Sequence, residues 1–235
     1  MSIHLKHPTY IDFVRNEQKT LNFLFNSTQV NTHFPKLSGN ASAFFYRYKG
    51  LTDTALKKSQ FEFSCNFDIL VEKVSRRVVV ESIVTPDFSM VSYMLGICET
   101  DADPLSMIRK FHFDYAIPNK DSSKWPKPVY HLQYGGEQSK GLEALKIDIS
   151  GLHPKISSPR ISYGPINLAI LFDMIFFEFR TEETIGIVER SEWRDLMKNN
   201  EDIILKPFYE VMDKFIKTDH KSSFLIRDFN YGISD

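Results

Sequence analysis

Cysteine is scarce in this sequence: the 235 residues include only Cys65 and Cys98. One pair in a chain of this size is no disulfide scaffold, and its spacing does not match that of a cysteine metal clip. We therefore predict two reduced thiols in the core and no structural zinc.

Net charge is almost absent as well. The chain has 29 basic and 30 acidic side chains, for a formal net charge of −1. No global electrostatic field therefore attracts it to nucleic acid or to an anionic membrane. Nucleic acid is a partner class for this chain only through a local patch.

Long apolar segments are also missing. Residues 1–8 lack the apolar stretch of a signal peptide. The most apolar run, 166–179, is shorter than the ~20 residues that a spanning helix needs. It also contains Asp173 and Glu178. These features predict a cytoplasmic protein that does not enter a membrane.

The familiar catalytic signatures are lacking too. The sequence has no glycine-rich phosphate loop, no His-Glu-x-x-His and no Gly-x-Ser-x-Gly. The sequence therefore does not indicate binding or hydrolysis of nucleoside triphosphates, nor classical hydrolase chemistry. We predict no cofactor.

Strand patterns dominate what is present. Between residues 61 and 71, apolar side chains alternate with polar ones, which predicts a strand that is buried on one face and wetter on the other. Further strand-like runs lie at 44–48, 77–84, 90–97, 110–117, 129–134 and 224–226. Together they predict a mainly antiparallel sheet of about five to seven strands.

Helical patterns flank these strands. Thr9 and Asp12 resemble a capping box at the start of a helix that ends near Asn26. Three more helix starts are predicted further along, with Pro165 in a first turn, Ser191 as a cap and Pro207 at the beginning of a longer helix. The fold class is therefore α+β, with carboxy-terminal helices packed on one side of the sheet. We predict a single domain over residues 1–235, in which 181–235 is the segment that would form a helical appendage.

Two of the predicted strands carry the candidate site. In the sequence Phe-His-Phe-Asp-Tyr, His112 and Asp114 share one face of a strand, because successive side chains alternate. His131 and Gln133 share a face in the same way. If the two strands pair with their aromatic faces together, these four side chains become neighbours. Two imidazoles beside a carboxylate can act as a general acid/base pair, or can hold a divalent metal. They are equally typical of the polar face of a sheet that has no catalytic role.

Additional residues are candidates for binding or for a buried charge. Gly135 and Gly136 permit close approach of a ligand to the backbone, and Arg160 could neutralise a phosphate. Asp173 lies within an apolar helical run, where an unpaired carboxylate would be costly. It is predicted to accept a buried hydrogen bond or to form an ion pair, with Arg160 or a backbone donor as its partner, or else to be catalytic.

Three motifs give the chain a resemblance to known families. They are Phe-His-Phe-Asp-Tyr (111–115), Pro-x-x-His-Leu-Gln-x-Gly-Gly (128–136) and Pro-Arg-Ile-x-x-x-Pro (159–165). Their order resembles that in uncharacterised bacterial families from toxin–antitoxin or phage-defence gene clusters. The resemblance implies a bacterial conflict-system context rather than a reaction. Such relatives have His-Leu-His where this chain has Gln133, so a metal site implied by the analogy lacks one ligand here.

Two functions follow as hypotheses. The first is a non-catalytic subunit or regulatory component of a bacterial defence or toxin–antitoxin assembly, with a protein partner. The alternative is a toxin-like or effector phosphodiesterase that acts on nucleic acid through His112, Asp114 and His131. The near-neutral charge and the missing catalytic signatures favour the first.

Overall fold

The sheet is the centre of the molecule. A computed structural model of the chain describes residues 9–25, 61–71, 74–86, 88, 90–100, 106–116, 130–135, 147–148 and 160–217. The strands predicted at 44–48 and 224–226 lie outside these residues. The described strands are β1 (Phe61–Val71), β2 (Val74–Val84), β3 (Met90–Glu99), β4 (Ser106–Ala116), β5 (Tyr130–Tyr134) and β6 (Arg160–Ser162).

These strands form one sheet of six strands in the order β1-β2-β3-β4-β5-β6, with every neighbouring pair antiparallel. The predicted α+β class and antiparallel sheet are confirmed. Residues 160–162, where no strand was predicted, form the edge strand β6. Three residues are too few to show the period-two alternation by which a strand is recognised.

One face of the sheet builds the main core. Its buried members come from alternate positions of β1 to β4 and are Phe61, Phe63, Cys65, Phe67, Ile69, Val78, Val80, Val84, Val91, Tyr93, Leu95, Phe113 and Tyr115. They pack against α1 (Tyr10–Phe25) and against the helices that follow the sheet. Cys98 belongs to an apolar cluster on the opposite face. The sheet therefore separates two buried free thiols.

The first helix begins as predicted. The Asp12 amide donates to Thr9 Oγ1 at 3.2 Å, and the Thr9 hydroxyl donates to Asp12 Oδ2 at 2.5 Å. Thr9 thus satisfies one of the amides that the first turn leaves without a partner.

The apolar helix α2 (Leu168–Glu178) starts later than predicted. Its cap is Asn167, whose side chain accepts from the Ile170 amide at 3.0 Å. Pro165 therefore precedes the helix, and its assignment to the first turn was wrong. An asparagine two residues downstream is the stronger start signal, because its side chain supplies the acceptor that the first-turn amides need.

The carboxy-terminal helices are α3 (Glu182–Val188), α4 (Ser191–Asn200) and α5 (Lys206–Lys217). A π-helical turn, Glu201–Leu205, joins α4 to α5 without a break. Ser191 is not the cap of α4: that position belongs to Arg190, which makes no capping hydrogen bond through its side chain. None of the helices in the described ranges is long and apolar enough to span a membrane.

Pro207 lies at the beginning of a longer helix, as predicted: it is the second residue of α5. This helix is not separate, however, because its first residue, Lys206, directly follows the π-helical turn. Proline has no amide to donate and its ring crowds the carbonyl four residues earlier, so a regular α-helix cannot pass through it undisturbed. The wider turn before it, in which the Lys206 amide reaches the Glu201 carbonyl, accompanies this irregularity.

Trp193 joins the carboxy-terminal helices to the rest of the core. Its ring centroid lies 5.4 Å from that of Phe23 on α1 and 5.5 Å from that of Phe176 on α2. The side chain is 1% exposed. The described residues that follow Arg180 thus contribute to the same core as the sheet and α1.

Candidate functional site

The register of β4 and β5 brings the four predicted polar residues together. His112 lies opposite Gln133, and Asp114 lies opposite His131. The intervening residues form the aromatic side of the ladder on the other face, where Tyr115 pairs with Tyr130. The predicted proximity of the four side chains is confirmed. We call the surface formed by His112, Asp114, His131 and Gln133 the polar face.

A serine completes the row through Asp114. Ser92 on β3 lies opposite Asp114, and its hydroxyl donates to Asp114 Oδ1 at 2.5 Å. The second carboxylate oxygen, Oδ2, lies 3.6 Å from His131 Nε2. Asp114 therefore contacts both a hydroxyl and an imidazole. Ser92, Asp114 and His131 form a row across the three strands β3, β4 and β5, which we call the row through Asp114. Sequence analysis missed Ser92, because only the β3–β4 register identifies it as a neighbour.

This order of groups differs from that of a serine hydrolase. There the histidine lies between the nucleophile and the carboxylate, so that it can take the proton of the hydroxyl. Here the hydroxyl of Ser92 donates to the carboxylate of Asp114, and the carboxylate lies between the hydroxyl and the imidazole of His131. The row therefore orients Asp114 and His131 but does not activate Ser92.

His112 occupies the neighbouring row. The pKa of its imidazole is lowered to about 4, mainly by burial and also by the positive charges of Lys110 and His131, while the charge of Asp114 opposes these effects. His112 is therefore neutral at neutral pH. Its Nε2 atom is buried and has no hydrogen-bond partner among the residues that the structure describes.

The polar face is more buried than predicted. His131 is 4% exposed and Gln133 is 9% exposed. Lys110, two residues before His112 on the same side of β4, is 0% exposed. The expectation of a wet second face was wrong here. An apolar cluster also lies on this side of the sheet and consists of Val79, Met94, Cys98, Met107 and Ile147. The strand pattern did not reveal it, because Ile147 is remote in sequence and reaches β4 through the hydrogen bond from the Met107 amide to the Asp148 carbonyl, at 2.8 Å.

The predicted binding residues lie at different places in the structure. Gln133 lies within the polar face. Gly135 has a φ of 81°, which glycine tolerates best, and its amide donates to the Lys110 carbonyl at 2.8 Å. Arg160 is paired through its backbone with Gln133. Gly136 lies outside the described residues.

A metal site was the second option for these side chains. Across the described parts of the chain, no group of three or more His, Cys, Asp or Glu side chains is arranged to hold a metal ion.

The Asp173 carboxylate accepts a hydrogen bond from a donor that the sequence did not predict. Its Oδ1 atom accepts from the Trp193 indole Nε1 at 2.8 Å. The interpretation as a hydrogen-bonded carboxylate is confirmed, but the donor is neither Arg160 nor a backbone amide. Because 20 residues separate the two, the sequence pattern could not pair them.

A buried carboxyl on α1 escaped sequence analysis. Glu17 on α1 is 1% exposed, and its side chain contacts β3 and α2. Its Oε2 accepts from the Leu168 amide at 3.1 Å, and its Oε1 accepts from the Tyr93 hydroxyl at 3.3 Å. Burial raises the pKa of this carboxyl from 4.5 to about 8, although both hydrogen bonds lower it. The signal was present, since Glu17 is spaced three residues after Val14 and four before Leu21 on the apolar stripe of the helix.

Three asparagines continue this buried polar region. The side-chain amides of Asn16 and Asn167 both donate to Asn200 Oδ1. Asn200 Nδ2 in turn donates to the Leu196 carbonyl at 2.7 Å. All three asparagines are buried. They link α1, the cap of α2 and the end of α4.

Comparison of the chain with protein-family models, with curated proteins and with solved structures gave no match.

Proposed function

We propose that this protein is a non-catalytic subunit or regulatory component of a bacterial defence or toxin–antitoxin-type assembly in the cytoplasm. The observation that carries the non-catalytic part is the burial of His131 at 4% exposure and of Gln133 at 9%. A general acid or base must come within about 3 Å of the proton that it transfers. A substrate arriving from solvent does not reach these two side chains in the described arrangement. The assembly context rests on the resemblance of the three motifs.

In this proposal the polar face specifies the structure of the sheet. A register slip of one residue between β4 and β5 would move His131 and Gln133 to the aromatic face and bring Tyr130 and Leu132 to the polar one. Buried polar groups without partners are costly, so such a slip is strongly opposed. The polar face then sets the shape of the surface on which a partner protein binds.

A phosphodiesterase acting on nucleic acid is the second candidate. One observation favours it: Asp114 contacts His131 and keeps 26% of its side chain exposed, while the neighbouring His112 holds a neutral imidazole. In this mechanism His112 would accept a proton from the attacking hydroxyl or water. His131, oriented by Asp114, would donate one to the leaving oxygen.

One experiment separates the two functions. Tagged wild type and the double variant His112→Ala/His131→Ala are expressed in the native host, together with Glu178→Gln, a control on the exposed side of α2. Recovered partners are identified and tested for fixed stoichiometry by size-exclusion chromatography of the purified complex, and cell growth and nucleic-acid integrity are scored in parallel. Circular dichroism establishes that each variant is folded.

We expect one partner at constant stoichiometry with wild type, with the control and with the folded double variant, and no loss of nucleic acid. Growth arrest or nucleic-acid cleavage that only wild type and Glu178→Gln cause would instead establish the phosphodiesterase. A wild-type protein that stays monomeric and recovers no stoichiometric partner would contradict the subunit proposal.

A further inference from the structure

Two neighbouring polar side chains, both buried, lie in the middle of the surface by which α1 contacts the rest of the fold. Glu17 accepts from the Tyr93 hydroxyl on β3 and from the Leu168 amide on α2. The side-chain amide of Asn16 donates to Asn200 on α4. A helix normally covers a core with an apolar stripe, and glutamate is rarely buried. The docking of α1 therefore depends on a carboxyl group at its centre.

The remaining contacts of α1 are made through side chains as well. At the start of the helix, the Tyr10 hydroxyl donates to the Val84 carbonyl at 3.3 Å. A cavity of about 40 Å³ lies beside Phe13, between α1, the sheet and the π-helical turn, and side chains that border a cavity have fewer packing partners. The strands, by contrast, are joined by ladders of backbone hydrogen bonds. An element that is attached through side chains opens at a lower free-energy cost than the strands of a core sheet.

The groups that contact Glu17 leave burial as the dominant influence on its proton. Burial raises the pKa of the carboxyl to about 8, although the two hydrogen bonds lower it. The titratable group in contact with it is the Tyr93 phenol on β3. The nearby polar side chains of α2 and α4, Asn167 and Asn200, are neutral and bind each other. These surroundings favour the protonated carboxyl.

The charged side chains of the helices around Glu17 are directed elsewhere. On α2, the Asp173 carboxylate accepts from the Trp193 indole, and Glu178 is exposed. The charged residues of α4 are exposed, as are the others of α1, which are Asp12, Arg15 and Lys19. An ionised Glu17 would therefore keep its charge inside the core at a high desolvation cost, and that cost disappears once α1 leaves the core.

We propose that α1 is a releasable helix, which the protonated carboxyl of Glu17 keeps docked and which the loss of this one proton frees from the sheet. On release the proton passes to solvent and the carboxylate becomes hydrated. Release exposes the apolar stripe of α1, which consists of Tyr10, Phe13, Val14, Leu21 and Leu24. Exposure of an apolar surface is thereby coupled to pH. The device does not depend on the function of the polar face, which lies on the opposite side of the sheet.

Thiol labelling measures the release. One variant carries Cys65→Ala, Cys98→Ala and Thr20→Cys, so that its single thiol replaces a fully buried hydroxyl on α1. The matched control carries Cys65→Ala alone, and its single thiol, Cys98, is equally buried on the opposite face of the sheet. Labelling rates with a disulfide reagent are divided by those of a short peptide thiol at the same pH. This removes the effect of thiol ionisation and gives an opening constant for each position.

We expect the α1 thiol to have an opening constant at least about tenfold above that of Cys98 at pH 8. The constant should rise about tenfold per pH unit between pH 6 and 8 and level off above, because the docked carboxyl titrates near 8 and the released one near 4.5. Adding Glu17→Gln should abolish this rise, whereas adding Glu178→Gln, on the exposed side of α2, should leave it unchanged.

Hydrogen exchange of the wild-type protein gives an independent measurement where a cysteine variant fails to fold. The protection factors of the α1 amides should fall over the same pH range and lie below those of the β3 amides.

Three outcomes would overturn the proposal. Equal opening constants for the two thiols would mean that α1 leaves only when the whole protein unfolds, even if Glu17 still lowers global stability. A pH-dependent rise that persists with Glu17→Gln would assign the proton to another group. Protection of the α1 amides as strong as that of the β3 amides at pH 8 would show that α1 stays docked.

Discussion

The Glu17 carboxyl accepts a hydrogen bond from the Leu168 amide, which ties the middle of α1 to the first residue of α2 across 3.1 Å. Tyr93 on β3 donates to the same carboxyl and is the titratable group that faces it among the described residues. Burial is the main cause of its raised pKa of about 8. The carboxyl therefore keeps its proton at neutral pH, and ionisation would place a charge in the desolvated core.

Glu17→Gln should remove a dependence of stability on pH. The folded-state pKa of about 8 exceeds the ordinary value of 4.5. The unfolded chain therefore releases this proton first, and the free energy of unfolding falls as pH rises from 4.5 to about 8. The slope from one such group is about 1.4 kcal/mol per pH unit. Between pH 6.5 and 8, above the range in which His112 has the opposite effect, urea unfolding should show this decrease in wild type and in Glu178→Gln, but a flatter profile in Glu17→Gln. Parallel profiles for wild type and Glu17→Gln would show that Glu17 is not the group responsible.

His112 should have the opposite effect in acid. Its folded-state pKa of about 4 lies below the ordinary 6.5. Between these pH values the unfolded chain binds a proton that the folded chain does not bind. The free energy of unfolding therefore falls as pH falls from 6.5 towards 4. His112→Gln should lessen this loss by up to about 1.4 kcal/mol per pH unit. NMR titration of the imidazole checks the pKa directly, and a midpoint near 6.5 in the folded protein would refute the prediction.

Ser92 and Asp114 should be energetically coupled. Ser92→Ala removes the donor at 2.5 Å from Asp114 Oδ1, and a net loss of about 1 kcal/mol is typical of one hydrogen bond. In an Asp114→Ala background the same change should cost much less. A double-mutant cycle by urea unfolding should therefore give a coupling of about 1 kcal/mol, while Ser92→Ala and Asp173→Asn, on separate elements, should add independently. Additivity within the Ser92–Asp114 cycle would mean that the contact contributes nothing.

The Trp193–Asp173 hydrogen bond should be visible in stability as well. Trp193→Phe retains an aromatic ring in the core but leaves the half-buried Asp173 without the indole donor at 2.8 Å. We expect a loss of about 1–3 kcal/mol, because the carboxylate loses its compensation for burial. Adding Asp173→Leu should recover part of this loss, since replacing both partners with apolar groups can be nearly neutral. Thermal and urea unfolding measure both steps. A double variant less stable than Trp193→Phe would contradict this explanation.

Several local features were predictable because the physics is local. The alternation in residues 61–71 predicts β1 with its observed bounds, and the two His-containing strands share faces because side chains alternate in any strand. Thr9 caps α1 through atoms only three residues away. In each case the interacting groups are close in sequence, so a short pattern contains the whole interaction.

Other features depend on residues that are distant in sequence. The strand β6 exists because β5 offers it hydrogen bonds, and its own three residues show no pattern. Ser92 became part of the row through Asp114 only through the β3–β4 register. The burial of His131 depends on what packs over the sheet and not on its own strand.

Local sequence patterns specify the α+β class, the antiparallel strands and the shared face of His112, Asp114, His131 and Gln133, because periodicity and capping act over a few residues. Which polar groups are buried, and which partner each one has, depends on packing between segments that are distant in sequence. The Glu17 carboxyl accepts hydrogen bonds from Leu168 and Tyr93, and the Asp173 carboxylate accepts one from Trp193. The imidazole of His112 is desolvated by burial. Burial and electrostatics depend on groups that come together only after the chain has folded, and the shifted pKa values follow from these contacts.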